Sequence, residues 1–331
     1  MRGEWKESDR ELAEQYMGFL PDRVFDVHAH LYDTGTWKSM RGYERFSPEV
    51  VTLDEYREQM ALILGKRELH GLFFPYPVIH GVDDGFALDN NWVAGEIADD
   101  PRSFGQMLVA PTDDPDWVEE EMTRLGFRGL KPFAVYSGVD NYWEAEIPDY
   151  LPEPLAAAAD RNGWSVTLHL MQYQGAESAS NQYWIRHYCE TYPNMKLILD
   201  HCARGFNSRR AYRGMEKLTG LNNLWIDTAV VCDPFSIVAS MKIFGPKRVM
   251  YGSDYCMSHL RGINTGVGDT FLWIDDEASV WKGHGHTAEI QPTLVGVENL
   301  LAIQAAVRIL GLKDGEVEDF FWNNADRMIH G

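Results

Sequence analysis

Eight short β-rich runs, most of them followed by a helical pattern, predict an α/β fold: a (β/α)8 TIM barrel in one domain, with insertions at the barrel mouth. Three observations carry this reading. Eight is the strand count that closes such a barrel. Strands alternating with helices require right-handed crossovers and hence a parallel sheet. No G-x-G-x-x-G follows an early strand, where an open doubly wound sheet would carry it.

In chain order the runs are Arg23–His30 (RVFDVHAH), Gly71–Pro75 (GLFFP), Ser103–Ala110 (SFGQMLVA) and Phe127–Phe133 (FRGLKPF). Then come Ser165–Leu170 (SVTLHL), Lys196–His201 (KLILDH), Asn223–Ala229 (NLWIDTA) and Arg248–Asp254 (RVMYGSD). Helical patterns lie between them at Asp114–Leu125, the Ala-rich Glu153–Arg161, Gln182–Thr191, Ser208–Leu218 and Pro234–Ile243. Two connections exceed what one helix needs. The stretch 31–50 is expected as a loop over the mouth, and 255–292 as a second insertion carrying Gly262, Gly266, Gly268, Gly283 and Gly285. Val295–Leu310 closes the barrel, and Gly315–Ile329 reads as an extra terminal helix. No second domain is visible in residues 1–331.

The 331 residues are 45% hydrophobic, enough for a large core, and carry 30 basic against 50 acidic side chains, a net charge of −20. Such a chain lacks the basic footprint that nucleic acid or an anionic membrane surface demands. The segment MRGEWKESDRELAEQ is charged throughout and has no apolar signal-peptide core, and no run of 18 apolar residues occurs. Four cysteines (Cys189, Cys202, Cys232, Cys256) without a C-x-x-C suggest a reducing, cytoplasmic setting.

Polar residues recur where the strands end. In Val24-Phe25-Asp26-Val27-His28-Ala29-His30, the period of two puts both imidazoles on one face, which points inward at the C-terminal mouth where this fold gathers its chemistry. His169, His201 and Asp254 close the fifth, sixth and eighth runs. One such histidine alone is an ordinary core residue. Several converging on one rim offer a shell for Zn²⁺ or a similar divalent ion. His284-Gly285-His286 spells the same H-x-H, but between glycines in a loop, with no strand to align the rings.

On FDVHAHLYD, GLKPF, EPLAAAADRNGWSVTLHL, NMKLILDHCARG, RVMYGSDY and FFWNNADRMI, the chain resembles the amidohydrolase superfamily, in its branch of metal-dependent hydrolases and decarboxylases. The resemblance implies that His28, His30, His169 and Asp254 hold one divalent ion, zinc first, with manganese or iron as alternatives. It places His201 against water or substrate as acid/base. Lys131 stands where binuclear relatives carry a bridging carboxylated lysine. Its Gly-Leu-Lys-Pro-Phe setting is closer to the mononuclear branch, where it contacts an anion or forms a structural pair. Physically, a divalent ion brings the pKa of its water towards ~7. Asp254 can take that proton and return it to a leaving group, while His201 orients the water or polarises a carbonyl.

Arg204, His259 and Arg261 stand close to site residues and are candidates to clamp a substrate carboxylate, with Lys131. Trp37, Tyr43, Phe133, Tyr136, Tyr142, Trp143, Phe271 and Trp273 crowd the mouth loops and suit a planar or apolar acid. Cys202 and Cys256 read as packing thiols. The expected function is hydrolysis of an ester, lactone or amide of a small carboxylate-bearing molecule. The alternative is non-oxidative decarboxylation of an aromatic or unsaturated acid; His28, where many decarboxylating relatives have Glu, tilts the reading to hydrolysis. A metal-free barrel is a third reading. A small-molecule carboxylate is the expected partner, and a homo-oligomer is compatible with the acidic surface.

Overall fold

Apolar runs that are buried on both faces have to sit in a parallel sheet covered by helices, and all but the first residue of Arg23–His30 is buried. The computed structural model describes residues 5–37, 48–77, 86–282 and 290–331. Its strands β1 (Arg23–His30), β2 (Glu68–Phe74), β3 (Phe104–Val109), β4 (Gly129–Pro132), β5 (Ser165–Leu168), β6 (Lys196–Leu199), β7 (Leu224–Asp227) and β8 (Val249–Met250) form one sheet in chain order. Each paired neighbour is parallel. The eighth run is laddered for two residues only. Beyond them the chain turns onto β1: Val27 N donates to Tyr251 O at 3.0 Å, His30 N to Tyr255 O at 3.0 Å, and Asp254 N to His28 O at 2.7 Å. These bonds bring the sheet round into a barrel.

The helices are α1 (Glu7–Met17), α2 (Leu53–Leu64), α3 (Ala87–Ile97), α4 (Pro115–Leu125), α5 (Glu153–Asn162), α6 (Ala179–Thr191), α7 (Ser208–Glu216), α8 (Pro234–Phe244), α9 (Val295–Leu310) and α10 (Asn324–His330), with shorter turns between some of them. Local chemistry sets their ends. Asp114 caps α4 by accepting from Asp116 N and Trp117 N, Pro115 occupies its first turn, and Gly126 stops it at φ 70°. The expected terminal helix is a broken one: Asp314–Glu318, a π-helical turn at Asp319–Asn323, and then α10.

Phe25 and Val27 of β1 meet Leu72 of β2, Ile198 of β6, Trp225 of β7 and Met250 of β8, with Trp322 below them. Strands from opposite sides can meet in this way only inside the barrel, so this cluster fills its floor. The second insertion folds where a loop was expected, as an antiparallel hairpin of β9 (Gly262–Val267) and β10 (Thr270–Asp275). Gly262, at φ 136°, opens it where a Cβ would lie 2.1 Å from Ile274 O. In the first insertion, Tyr32–Asp33 pairs with Val50–Val51. Tyr43, Gly283, His284, Gly285 and His286 fall outside the described residues. Among the described residues, no helix is long and apolar enough to cross a membrane.

One ion pair fastens the amino-terminal helix. Asp9 of α1 is fully buried and takes Arg261 Nη2 at 2.6 Å, Arg261 Nη1 at 3.2 Å and Leu294 N at 3.1 Å. Replacing Arg261 by Met leaves a buried carboxylate without its cation, a loss of about 3–5 kcal/mol for such pairs. Urea unfolding of R261M should show this as a lower midpoint at an unchanged slope; an unaltered midpoint would mean the pair contributes nothing.

Candidate metal and acid/base site

The two imidazoles of H-x-H face inward, with help that the alternation rule does not supply. Register between β1 and β2 slips between Asp26 and Ala29. This bulge switches the phase of the strand. Phe25 and Val27 line the floor, yet His28 and His30 also point to the interior, while Asp26 turns outward. There Asp26 accepts from Tyr56 Oη at 2.7 Å, Ser253 N at 2.8 Å and His28 N at 3.0 Å.

Each ring is anchored by its Nδ1: His28 to Asp227 Oδ2 at 2.9 Å, and His30 to Pro75 O at 3.1 Å. A carbonyl can only accept, so His30 is protonated at Nδ1 and its Nε2 carries a lone pair; the Asp227 carboxylate directs His28 in the same way. These free Nε2 atoms lie 3.6 Å (His28) and 3.4 Å (His30) from Asp254 Oδ1. Asp254 itself is held at φ 49°. The chain passes close enough to β1 to hold it there because residue 252 is glycine, where a Cβ would lie 2.9 Å from His28 Cβ.

His201 does not end a strand as expected. From His201 to Arg204 four successive residues, none of them glycine, have φ between 53° and 60°. Such left-handed positions cost roughly 1–2 kcal/mol each, and backbone strain of this kind persists where its surroundings enforce it. Here His201 N donates to Asp227 Oδ1 at 2.7 Å and its Nδ1 faces Ala229 O at 3.0 Å. His201 Nε2 is thereby aimed at Asp254 Oδ2, 3.9 Å away. His169 lies with its ring 5.2 Å from that of His201, and its Nδ1 is buried without a hydrogen-bond partner among the described residues.

Lys131 is fully buried, donates to Asp200 Oδ2 at 2.6 Å, and sits over the rings of Phe74 at 4.5 Å and Phe133 at 5.0 Å. It is thus engaged in a structural pair beside the histidines, since Asp200 Oδ1 is 3.7 Å from His28 Nδ1. Asp227 and Asp26 were not singled out from the sequence. Asp227 carries the same signal as Asp254, a carboxylate closing an apolar strand, and could have been found by it.

Arg204 lies between Trp143 (5.1 Å to the ring centre) and Phe271 (5.6 Å), and its Nε is buried without a partner among the described residues. With Asn141, Trp143, Glu144, Gln172 and Tyr173 it lines a cavity of about 560 Å³. His259 and Arg261 are placed elsewhere, which corrects their reading as substrate clamps. Arg261 is tied to α1, and His259 Nε2 donates to Gln59 O at 3.2 Å on α2. Of the mouth aromatics, Phe133 stacks near His30 at 6.5 Å, Trp37 lies against Tyr32 at 5.3 Å, and Trp273 lies against Phe206 at 5.8 Å. Tyr142 packs on Trp143, and Tyr136 on Phe86. Cys202 and Cys256 are buried and free; burial pushes the Cys256 thiol up to about 12.

Ligand atoms of His28, His30 and Asp254 all lie within 4.8 Å of one another, as do those of His28, His201 and Asp227. Burial lowers His28 well below its usual pKa and takes His30 down to about 3, so both remain neutral, the form that ligates. Burial also pushes Asp254 up to about 7, against the pull of His201 and Lys131. Two imine lone pairs and a carboxylate therefore face each other with no fixed donor between them. A cation fits that donor set, and without one the carboxyl satisfies the same demand by taking a proton.

A family model described as Amidohydrolase matches residues 25–330. Among solved structures, the chain is similar to a putative 2-pyrone-4,6-dicarboxylic acid hydrolase from Pseudomonas putida (16% identity, TM-score 0.55, covering 94% of this chain and 98% of that one). It is also similar to an amidohydrolase from Burkholderia multivorans with bound zinc (12%, 0.58, 93% and 99%). A third is 5-carboxyvanillate decarboxylase from Novosphingobium aromaticivorans with manganese and 4-hydroxy-3-methoxy-5-nitrobenzoic acid (14%, 0.55, 95% and 96%).

Two outcomes follow from this geometry. Loss of the carboxylate that orients His28 in Asp227→Ala should weaken divalent-ion affinity about 10–100-fold, read by competition with a chromophoric chelator; equal affinities would rule out the orienting role. His259 is held down to about 4 by burial, below its usual 6.5. The unfolded chain then binds the extra proton between those values, so stability falls as the pH drops from 6.5 to 4. Relative to His259→Gln, the wild type should lose up to about 1.4 kcal/mol per pH unit across that window. Parallel stability curves for the two proteins would contradict this.

Proposed function

The chain belongs to the amidohydrolase family, and from that premise we propose that it is a metal-dependent hydrolase of a small carboxylate-bearing ester, lactone or amide. The observation that carries the reading is the convergence of His28 Nε2, His30 Nε2 and Asp254 Oδ1, with both histidines oriented through their Nδ1 atoms. These three, with His169 as a fourth, would hold one divalent ion, zinc first and manganese or iron as alternatives. Such an ion acidifies water and polarises a carbonyl oxygen.

The side chains supply the rest. Asp254 accepts the proton of the attacking water and passes it to the leaving oxygen or nitrogen. His201, whose Nδ1–H is engaged by Ala229 O, presents its Nε2 lone pair on the far side of that carboxylate and orients the attacking water by accepting from it. Arg204, stiffened by Trp143 and Phe271, grips the substrate carboxylate with a guanidinium that has no ion-pair partner among the described residues. Buried Lys131 and Asp200 neutralise one another and keep the wall behind His28 fixed. The one-domain barrel and a cytoplasmic setting, suggested by four free cysteines, belong to the same reading.

The aromatic pair around Arg204 also supports decarboxylation of an aromatic or unsaturated acid. In that case the bond from ring or vinyl carbon to the carboxylate breaks, CO₂ leaves, and the electron pair left on carbon takes a proton from Asp254. A product assay on lactones, esters and aromatic acids separates the two: acid release without CO₂ supports hydrolysis, and CO₂ release supports the second. Asp254→Asn and His201→Asn should each lower kcat on the order of 10²–10⁴-fold. About one equivalent of divalent ion should accompany each wild-type chain. If both variants kept full activity, the site assignment would be wrong.

A further inference from the structure

At the floor of the barrel, opposite the mouth, basic residues stand at the starts of the two strands that flank β7. Lys196 opens β6, Trp225 is the second residue of β7, and Lys247 and Arg248 immediately precede β8. These strands are parallel neighbours, so their starts lie side by side, and α10 brings Arg327 to the same face. All five residues line one cavity of about 710 Å³, and no Asp or Glu is among its lining residues.

A concentration of four cations runs against a chain with a net charge of −20. Nor do neighbouring acids neutralise it fully. Arg327 meets Asp319 at 3.3 Å, and Asp319 also feels Lys247. Lys196 Nζ donates to a carbonyl, Gly163 O, at 2.8 Å. Arg248 lies over the Trp225 ring at 4.5 Å, which fixes its guanidinium against the wall. Among the described residues, neither Lys247 nor Arg248 forms an ion pair, and Gly331 at the rim forms none with any of the four. Burial lowers Lys196 and Arg248 below their usual ranges. Converging like charges that are partly desolvated repel each other, a cost that a bound anion removes.

We propose that this cavity is a binding site for a small anion with two or more negative charges, of the phosphate or carboxylate class, at the opposite end of the barrel from His28 and His30. It is separate from the reading of the mouth and does not depend on it. The face carries too few cations on too acidic a chain to hold a nucleic-acid backbone.

The test is a thermal-shift titration of the metal-loaded protein with inorganic phosphate and with succinate, each against sodium chloride at matched ionic strength. The expected result is a saturable rise in midpoint beyond that given by chloride, retained in Asp254→Asn. A response to phosphate alone assigns the phosphate class, and to succinate alone the carboxylate class. The double variant Lys247→Glu, Arg248→Gln should weaken the response at least ten-fold. Should that protein fail to fold, Lys247→Glu alone alters an exposed side chain that leaves the Arg248–Trp225 contact intact, and should weaken it several-fold. Titrations identical in wild type and Lys247→Glu, or no response beyond chloride, would overturn the proposal.

Discussion

Asp227 holds the site together. One of its oxygens takes the His28 ring and the other takes the backbone of His201 and of Ala229, at 2.9, 2.7 and 3.0 Å. Three segments far apart in sequence, β1, the turn after β6 and the end of β7, are thus fixed to one carboxylate group. Its burial is tolerable because every contact is a donor, and charge-assisted bonds in a low-dielectric interior are strong. The left-handed run from His201 to Arg204 depends on it, because the bond to His201 N lies at the first of the four strained residues. That run in turn places His201 and Arg204 at its two ends, one beside Asp254 and the other between two aromatic walls.

Much of this was readable in advance because it rests on local patterns. The eight runs are apolar and β-rich, their spacing leaves room for a crossover, and helix ends such as Asp114 and Gly126 act through nearest neighbours. The H-x-H pair was legible because residues two apart share a face whatever happens upstream. Less legible were features that depend on distant partners or on backbone geometry. The bulge in β1 has no signature residue; it shows only in the pairing with β2. The turn after β6 has no glycine until Gly205, so nothing in His201-Cys202-Ala203-Arg204 announces four left-handed residues. Arg261 looked available from sequence because its partner, Asp9, lies about 250 residues away on a helix whose position the strand pattern does not specify. Lys131 was the reverse case. Its apolar flanks fitted a buried pair, but the partner Asp200 came into view only once β4 and β6 were both in place.

The site and the fold share material unequally. The mouth is built from residues in strained or unsatisfied states: left-handed backbone at His201 and Asp254 and, among the described residues, an unpartnered Nδ1 on His169 and an unpartnered Nε on Arg204. Elsewhere, several buried polar groups are fully engaged. Asp9, Asp26 and Asn299 each have donors or acceptors matched to backbone or side chain. The strained backbone at the mouth persists because its surroundings enforce it.

The shortness of the later strands has a consequence for the barrel as a dielectric body. β6 runs for four residues from Lys196 to Leu199, a rise of roughly 13 Å at about 3.3 Å per residue. Two unit charges at that separation still interact by about 1 kcal/mol at an effective dielectric constant near 20. Floor and mouth are thus not electrically independent. A charge gained or lost beneath the barrel shifts the potential in which the carboxylate and histidines above it work, without moving a single atom of the wall between them.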